Sequence, residues 1–154
     1  MSLKSHALII SLAVCLMPMP VLAAINCTVS TVGVAFGTYD VFSGSVTTST
    51  GTVTYNCKGV GGATITMFLS RGSANSFQTR QMVQAGGATL SYNLYLDATG
   101  AMIWGDGTGG SQEYGPVHPA NNSSTPVTIF GQIPAGQDVT TGTCTDTIIA
   151  TINF

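Results

Sequence analysis

The 154-residue sequence predicts an all-β, antiparallel sandwich or barrel, on three observations. Apolar residues recur at every second position in several short runs, the period of a strand with one buried face. Glycine-rich clusters separate these runs, as turns do. β-Branched residues fill the runs and strong helix formers are scarce, which suits a pleated surface better than a helix.

Taken in order, the chain opens on a segment of a different kind. Lys4 and His6 precede a short apolar run from Ala7 to Met17, then Pro18, Pro20 and Val21-Leu22-Ala23. A basic start, a short apolar core and a small-residue exit describe a secretory signal peptide, and the run is short for a bilayer span. Residues 1–23 are therefore expected to be removed, leaving residues 24–154 as one domain. The first strand starts near Cys27 and Val29, which share a parity. Thr52-Val-Thr-Tyr-Asn-Cys57 alternates, with Val53, Tyr55 and Cys57 expected to point inward. Ile65, Met67 and Leu69 form the next face, followed by Leu90, Tyr92, Leu94 and Leu96, and then by Val127, Ile129, Gly131 and Ile133. The turn clusters are residues 59–62, 86–87, 105–110 and 134–136. The stretch from about Trp104 to Thr125 is expected to be irregular, and Trp104 to anchor in the core rather than face a ligand. The last run, Asp146 to Phe154, reads as a strand continuing to the final residue, with Ile148, Ala150, Ile152 and Phe154 on one face. An apolar strand there is an edge with unpaired backbone groups, which invites pairing with another chain.

Charge narrows the function. Beyond residue 23 only Lys58, Arg71 and Arg80 are basic, against six acidic residues, for a formal charge of −3. Three basic residues cannot build the cationic stripe that nucleic acid requires. The low charge does not signal disorder, because Val, Ile, Phe and Tyr recur in patterned runs.

Catalytic and metal-binding constellations are missing from the pattern. There is no Gly-x-Ser-x-Gly elbow, and any Ser-His-Asp triad would rest on His118, which sits in a turn-like Gly115-Pro-Val-His-Pro119. Asp106 and Glu113 flank a glycine-rich loop, but their spacing is not that of a calcium loop. One histidine beyond residue 23 and no Cys-x-x-Cys pair do not make a zinc site. The glycine-rich stretch also lacks the Gly-Lys-Ser/Thr ending of a phosphate loop. The reading is of a non-enzyme with no metal, no cofactor and no small-molecule substrate.

Cysteine usage agrees with export. Cys15 leaves with the signal, and a Cys27–Cys57 bridge would tie the first two strands together in an oxidising compartment. Cys144 is then the odd thiol. It is either a buried free cysteine behaving as a small hydrophobe or the partner in an intermolecular or alternative disulfide.

Several short motifs, in order, carry a resemblance. They are Phe36-Gly-Thr-Tyr-Asp40, Gly51-Thr-Val-Thr-Tyr-Asn-Cys57, Leu90-Ser-Tyr-Asn-Leu-Tyr-Leu-Asp97, Trp104-Gly-Asp-Gly-Thr108, Phe130-Gly-Gln-Ile-Pro-Ala-Gly-Gln137 and Gly142-Thr-Cys-Thr-Asp-Thr147. Together they resemble the spore coat protein U domain family, which includes subunits of archaic (Csu-type) chaperone–usher pili. The resemblance implies an incomplete immunoglobulin-like sandwich lacking its final strand. It also implies a periplasmic chaperone, an outer-membrane usher and other pilus subunits as partners, and a Cys27–Cys57 disulfide. In such subunits a strand from another chain is added to an open sheet edge. Ile148, Ala150, Ile152 and Phe154 would then border the acceptor groove, with Val53, Tyr55, Leu94 and Leu96 on its floor. Where the family usually has an aromatic residue, this chain has Cys144.

Cleavage after Ala23 would leave Ala24, Ile25 and Asn26 ahead of Cys27, too few for a donor strand of about five residues. The expectation is a tip or terminal subunit that accepts a strand and donates none, exported to the periplasm and then the cell surface, serving attachment and biofilm formation. The competing expectation is a self-contained secreted coat or binding domain that does not polymerise.

Overall fold

A computed structural model describes residues 24–154; the signal-peptide expectation for residues 1–23 lies outside them. Nine strands follow one another: β1 (Asn26–Val32), β2 (Thr47–Lys58), β3 (Ile65–Leu69), β4 (Arg80–Gln84), β5 (Thr89–Tyr95), β6 (Tyr114–Val117), β7 (Ser124–Ile133), β8 (Cys144–Thr145) and β9 (Ala150–Asn153). They form two sheets, one of six strands in the order β1-β2-β7-β5-β4-β8 and one of three in the order β6-β3-β9. Every strand pair is antiparallel. The fold is an immunoglobulin-like antiparallel β-sandwich.

The alternation read from the sequence is the alternation that packs. Val53, Tyr55 and Cys57 of β2 are buried, as are Ile65, Met67 and Leu69 of β3. Leu90, Tyr92 and Leu94 of β5 and Val127, Ile129 and Ile133 of β7 complete the same cluster. Period-two sequences leave only one register with the apolar set inside, so the pairing is strongly specified. Trp104 joins the two layers. It is fully buried, its amide donates to the Leu94 carbonyl of the larger sheet at 2.9 Å, and its indole Nε1 donates to the Met67 carbonyl of the smaller one at 3.1 Å.

Two expectations are corrected. Residues 104–125 are not one irregular stretch: β6 lies inside it, and Gln112 folds back so that its amide reaches the Ile103 carbonyl at 2.8 Å. Pro116 disguises β6, because proline is tolerated only where a strand lies at an edge, and β6 is the edge of the smaller sheet. The final run is also shorter than expected. Only Ala150–Asn153 is a strand, and Phe154 is 58% exposed rather than part of a core face.

After Val32 the chain leaves the β1–β2 ladder and continues as an irregular strap across the larger sheet. Val34 and Phe36 turn down over two glycines, Gly51 of β2 and Gly131 of β7. A Cβ at Gly51 would stand 2.6 Å from the Val32 carbonyl oxygen, and one at Gly131 would stand 2.6 Å from Val34 Cγ1. The strap is latched further on. The Tyr39 hydroxyl donates to the Pro134 carbonyl at 3.0 Å and accepts from the Gln137 amide at 2.9 Å.

At the other end of β1, Cys27 and Cys57 stand directly opposite one another and are joined by a disulfide with a Cα–Cα distance of 4.1 Å. The bridge spans a sequence separation of 30. Closing a loop of that size should stabilise the fold by about 3.5 kcal/mol on the chain-entropy account. Urea unfolding with and without reductant measures it, and a difference below about 1 kcal/mol would show that the bridge does little to constrain the unfolded chain. The strap makes a second expectation. Gly51→Ala has backbone in its way, so it should cost about 1–3 kcal/mol and loosen the strap. Chemical denaturation and limited proteolysis within residues 33–42 check this; a neutral substitution with unchanged cleavage would mean that the close approach at Gly51 is not required.

Candidate functional site: an open groove beside the last strand

Two sheets of unequal breadth cannot cover one another. The inner face of the six-stranded sheet crosses β2, β7, β5 and β4 through Val53, Ile129, Leu94 and Met82, and all four line one cavity of about 420 Å³. β3 and β9 roof part of it through Leu69 and Ala150. A second cavity of about 660 Å³ continues beneath the strap and the segment from Val139 to Cys144. Val34, Phe36, Met82 and Cys144 line both, so the two form one apolar groove. One side is the strap, and the other is the chain from Val139 to Ala150.

The backbone of β9 faces this groove. Thr66–Asn153, Met67–Ile152, Phe68–Thr151 and Leu69–Ala150 are paired, and the Ser70 amide donates to the Ile149 carbonyl at 2.9 Å. Antiparallel pairs alternate between bonded and non-bonded, so Ile149, Thr151 and Asn153 aim their peptide groups at β3. Ala150 and Ile152 aim theirs the other way, and among the described residues no strand pairs with them there, although β1 passes close to β9. An unpaired edge next to an apolar trough is a template for strand addition.

The sequence-expected wall residues are not all at the groove. Ile148 and Ala150 line the first cavity. Ile152 is half-buried opposite Met67 and outside both cavities, and Phe154 is exposed beyond the end of β9. Of the expected floor, Val53 and Leu94 are in place. Tyr55 is buried away from it, against Tyr114 with ring centroids 6.5 Å apart, and Leu96 packs at the margin of the core. Cys144 is a half-buried free thiol at the junction of the two cavities.

Sequence reasoning missed Val34, Phe36, Met82 and Asp146. Val32, Val34 and Phe36 alternate, so the strap had a signal. Phe36 meets Tyr92 edge to face, with ring centroids 5.9 Å apart. Asp146 has no periodicity to betray it. Its Oδ2 accepts the Tyr92 hydroxyl at 2.7 Å, and its Oδ1 accepts the Ser73 amide at 2.9 Å and the Ser73 hydroxyl at 3.0 Å. Burial, reinforced by this bond to Asp146, holds the Tyr92 phenol well above its ordinary range. Beneath lies Arg80, fully buried, with Nη1 on Asn93 Oδ1 at 2.7 Å, Nη2 on the Trp104 carbonyl at 2.6 Å, and both Nε and Nη2 on the Ser70 carbonyl. Desolvation lowers the Arg80 pKa, while these acceptors and the Phe77 ring, 5.4 Å away, receive its cation.

The loop residues considered for chemistry serve local structure. The Asp106 carboxylate accepts the Thr108 amide at 2.9 Å in a turn, and its pKa is lowered chiefly by the Thr108 hydroxyl. His118 Nδ1 lies 3.3 Å from the Ala63 carbonyl oxygen. Among the described residues no three histidine, cysteine or carboxylate side chains cluster as a metal site would require.

Comparison with known proteins agrees with this architecture. A likeness in fold exists to a chain of the CsuC–CsuE chaperone–tip adhesion subunit pre-assembly complex from the archaic chaperone–usher Csu pili of Acinetobacter baumannii. It has a TM-score of 0.53 and 16% identity, over 85% of this chain and 40% of that one. The present chain thus spans less than half of that protein. Protein U of Myxococcus xanthus is 35% identical over 130 residues, covering 77% of this chain and 70% of the relative. The model of the Spore Coat Protein U domain matches residues 14–151. The chain belongs to the Spore Coat Protein U domain family.

Proposed function

We propose that this protein is a structural, non-enzymatic subunit of a surface pilus built by strand addition along a chaperone–usher route. Its task is to receive a strand from another chain in the groove beside β9. The observation that carries the reading is the unpaired outward-facing backbone of Ala150 next to an apolar trough that the three-stranded sheet leaves uncovered. Its fold likeness to a chain of a chaperone–subunit complex supports the same reading. The walls Ile148 and Ala150 and the floor residues Val53 and Leu94 would contact the entering strand. A periplasmic chaperone would occupy the groove first, and another subunit would replace it at an outer-membrane usher. The disulfide suits the oxidising periplasm through which such a subunit passes. A tip or terminal position, in a pilus serving attachment and biofilm formation, belongs to the same proposal.

The experiment is to express the exported chain alone and with a co-expressed chaperone, then add a panel of alternating-apolar peptides of about ten residues. The chain alone should be marginal or aggregate. A peptide at 100 times its Kd should stabilise it by about 2.7 kcal/mol, read as a shift in unfolding midpoint. A stable monomer that captures no peptide and needs no chaperone would instead favour the self-contained coat or binding domain. Intact mass of the exported protein tests the tip assignment, since a mature start well before Ala24 would supply a donor strand and remove it.

A further inference from the structure

The β3–β9 ladder ends for a reason visible in its last rung. Ser70 and Ile149 are the next pair in register after Leu69 and Ala150, and the Ser70 amide donates to the Ile149 carbonyl at 2.9 Å. The reciprocal acceptor, the Ser70 carbonyl, is taken by Arg80 through Nε at 3.1 Å and Nη2 at 2.9 Å. The Ile149 amide turns instead to Ser70 Oγ, at 2.9 Å. Residues 146–149 then belong to no strand. What fixes them is the Asp146 carboxylate, bound to Ser73 on one oxygen and to the Tyr92 hydroxyl on the other. Ser73 lies in the connection between β3 and β4, its hydroxyl also reaching the Gln81 carbonyl of β4 at 2.8 Å, and Tyr92 belongs to β5. The clamp therefore ties Asp146 to that connection and to β5 where Asp146 lines the cavity, and Ile148 stays against the cavity.

We infer that Arg80, Ser70 and Asp146 are positioning residues of the groove: they stop the β3–β9 ladder at Ile149 and pin residues 146–149 as a preformed wall for an entering strand. The inference rests on the strand-acceptor reading and adds to it a device that sets where pairing within the chain ends. Antiparallel ladders propagate wherever both partners offer free peptide groups. A guanidinium that withholds one carbonyl breaks that propagation, and a carboxylate clamp replaces the lost tether. An edge ordered before its partner arrives captures it at a lower entropic cost.

The test follows backbone hydrogen exchange on the full exported chain, together with the capture rate of the same peptide panel. Ser70→Ala removes the acceptor of the Ile149 amide, and Asp146→Ala removes the clamp. Each should speed exchange at residues 147–149 about tenfold, the scale of one lost hydrogen bond, and slow peptide capture by a similar factor. Exchange in β2 and β7 should not change. Ser70→Thr retains the hydroxyl and should behave as the parent chain, which a general packing defect would not do. Arg80→Lys cannot bracket the Ser70 carbonyl, so the Ile149 amide should regain a ladder acceptor and exchange more slowly, the opposite sign. Unaltered exchange in Ser70→Ala and Asp146→Ala overturns the inference, and so does faster exchange with unaltered capture. If the parent chain itself captures no peptide, the acceptor reading fails, and the groove role inferred for these residues fails with it.

Discussion

The constraint on which this molecule turns is one of coverage. A strand buries one face only if another layer lies over it, and here six strands face three. The region over β6, β3 and β9 is closed, holding Trp104, Ile65 and Met67 with almost no exposure. The remainder of the six-stranded face is covered by pieces that are not sheet: the strap from Gly33 to Phe36 and the segment from Val139 to Thr143. These pieces leave a trough rather than a roof. The groove is thus a direct consequence of strand count, and its apolar lining is the same period-two pattern that fills the closed part of the core.

A trough of this kind weakens the core, and Arg80 shows one way the structure compensates. A fully buried guanidinium is costly unless its N–H groups are answered, and those of Arg80 find acceptors on three separate elements. The carbonyls of Ser70 and Trp104 and the amide oxygen of Asn93 are brought to one point. Asn93 in turn donates to the Phe77 and Gln78 carbonyls at 2.8 and 3.0 Å. A single charged side chain so ties the end of β3, the start of β4, the middle of β5 and the Trp104 segment. Directional bonds can do this where hydrophobic burial, which has no direction, cannot fix a wall beside an open space.

Most of the sandwich was legible because its core strands alternate. The faces Ile65–Met67–Leu69 and Val127–Ile129–Ile133 needed only parity, and Cys27 opposite Cys57 followed from the same count. What stayed hidden was set by tertiary contacts with no period. β4 carries Arg80 on its inner face, so the charge interrupts the apolar pattern that marks a strand. β6 hides behind Pro116. The wall was only half visible. Alternation put Ile148, Ala150, Ile152 and Phe154 on one face; Ile148 and Ala150 line the cavity, while Ile152 and Phe154 do not. Parity gives a face but not how far the groove runs along it: Ile152 shares the face of Ala150 but lies opposite Met67, away from the groove, and Phe154 lies past the end of β9.

The two sides of the groove share a logic. On the proposed acceptor role, a strand edge that receives another chain cannot be held in place by pairing on that side, because pairing would fill it. β1 is therefore rooted covalently, by a disulfide at the end farthest from the strap, and its continuation is seated by close contact on Gly51 and Gly131. The opposite wall is rooted by a carboxylate clamp on the β3–β4 connection and on β5. Covalent, steric and charge-assisted anchors of this kind leave the outward peptide groups of Ala150 unpaired, which a ladder on that side would not. That division of labour explains why a chain with so few charged residues places one carboxylate and one guanidinium beside its most apolar surface. They hold the edge open by means that do not consume it.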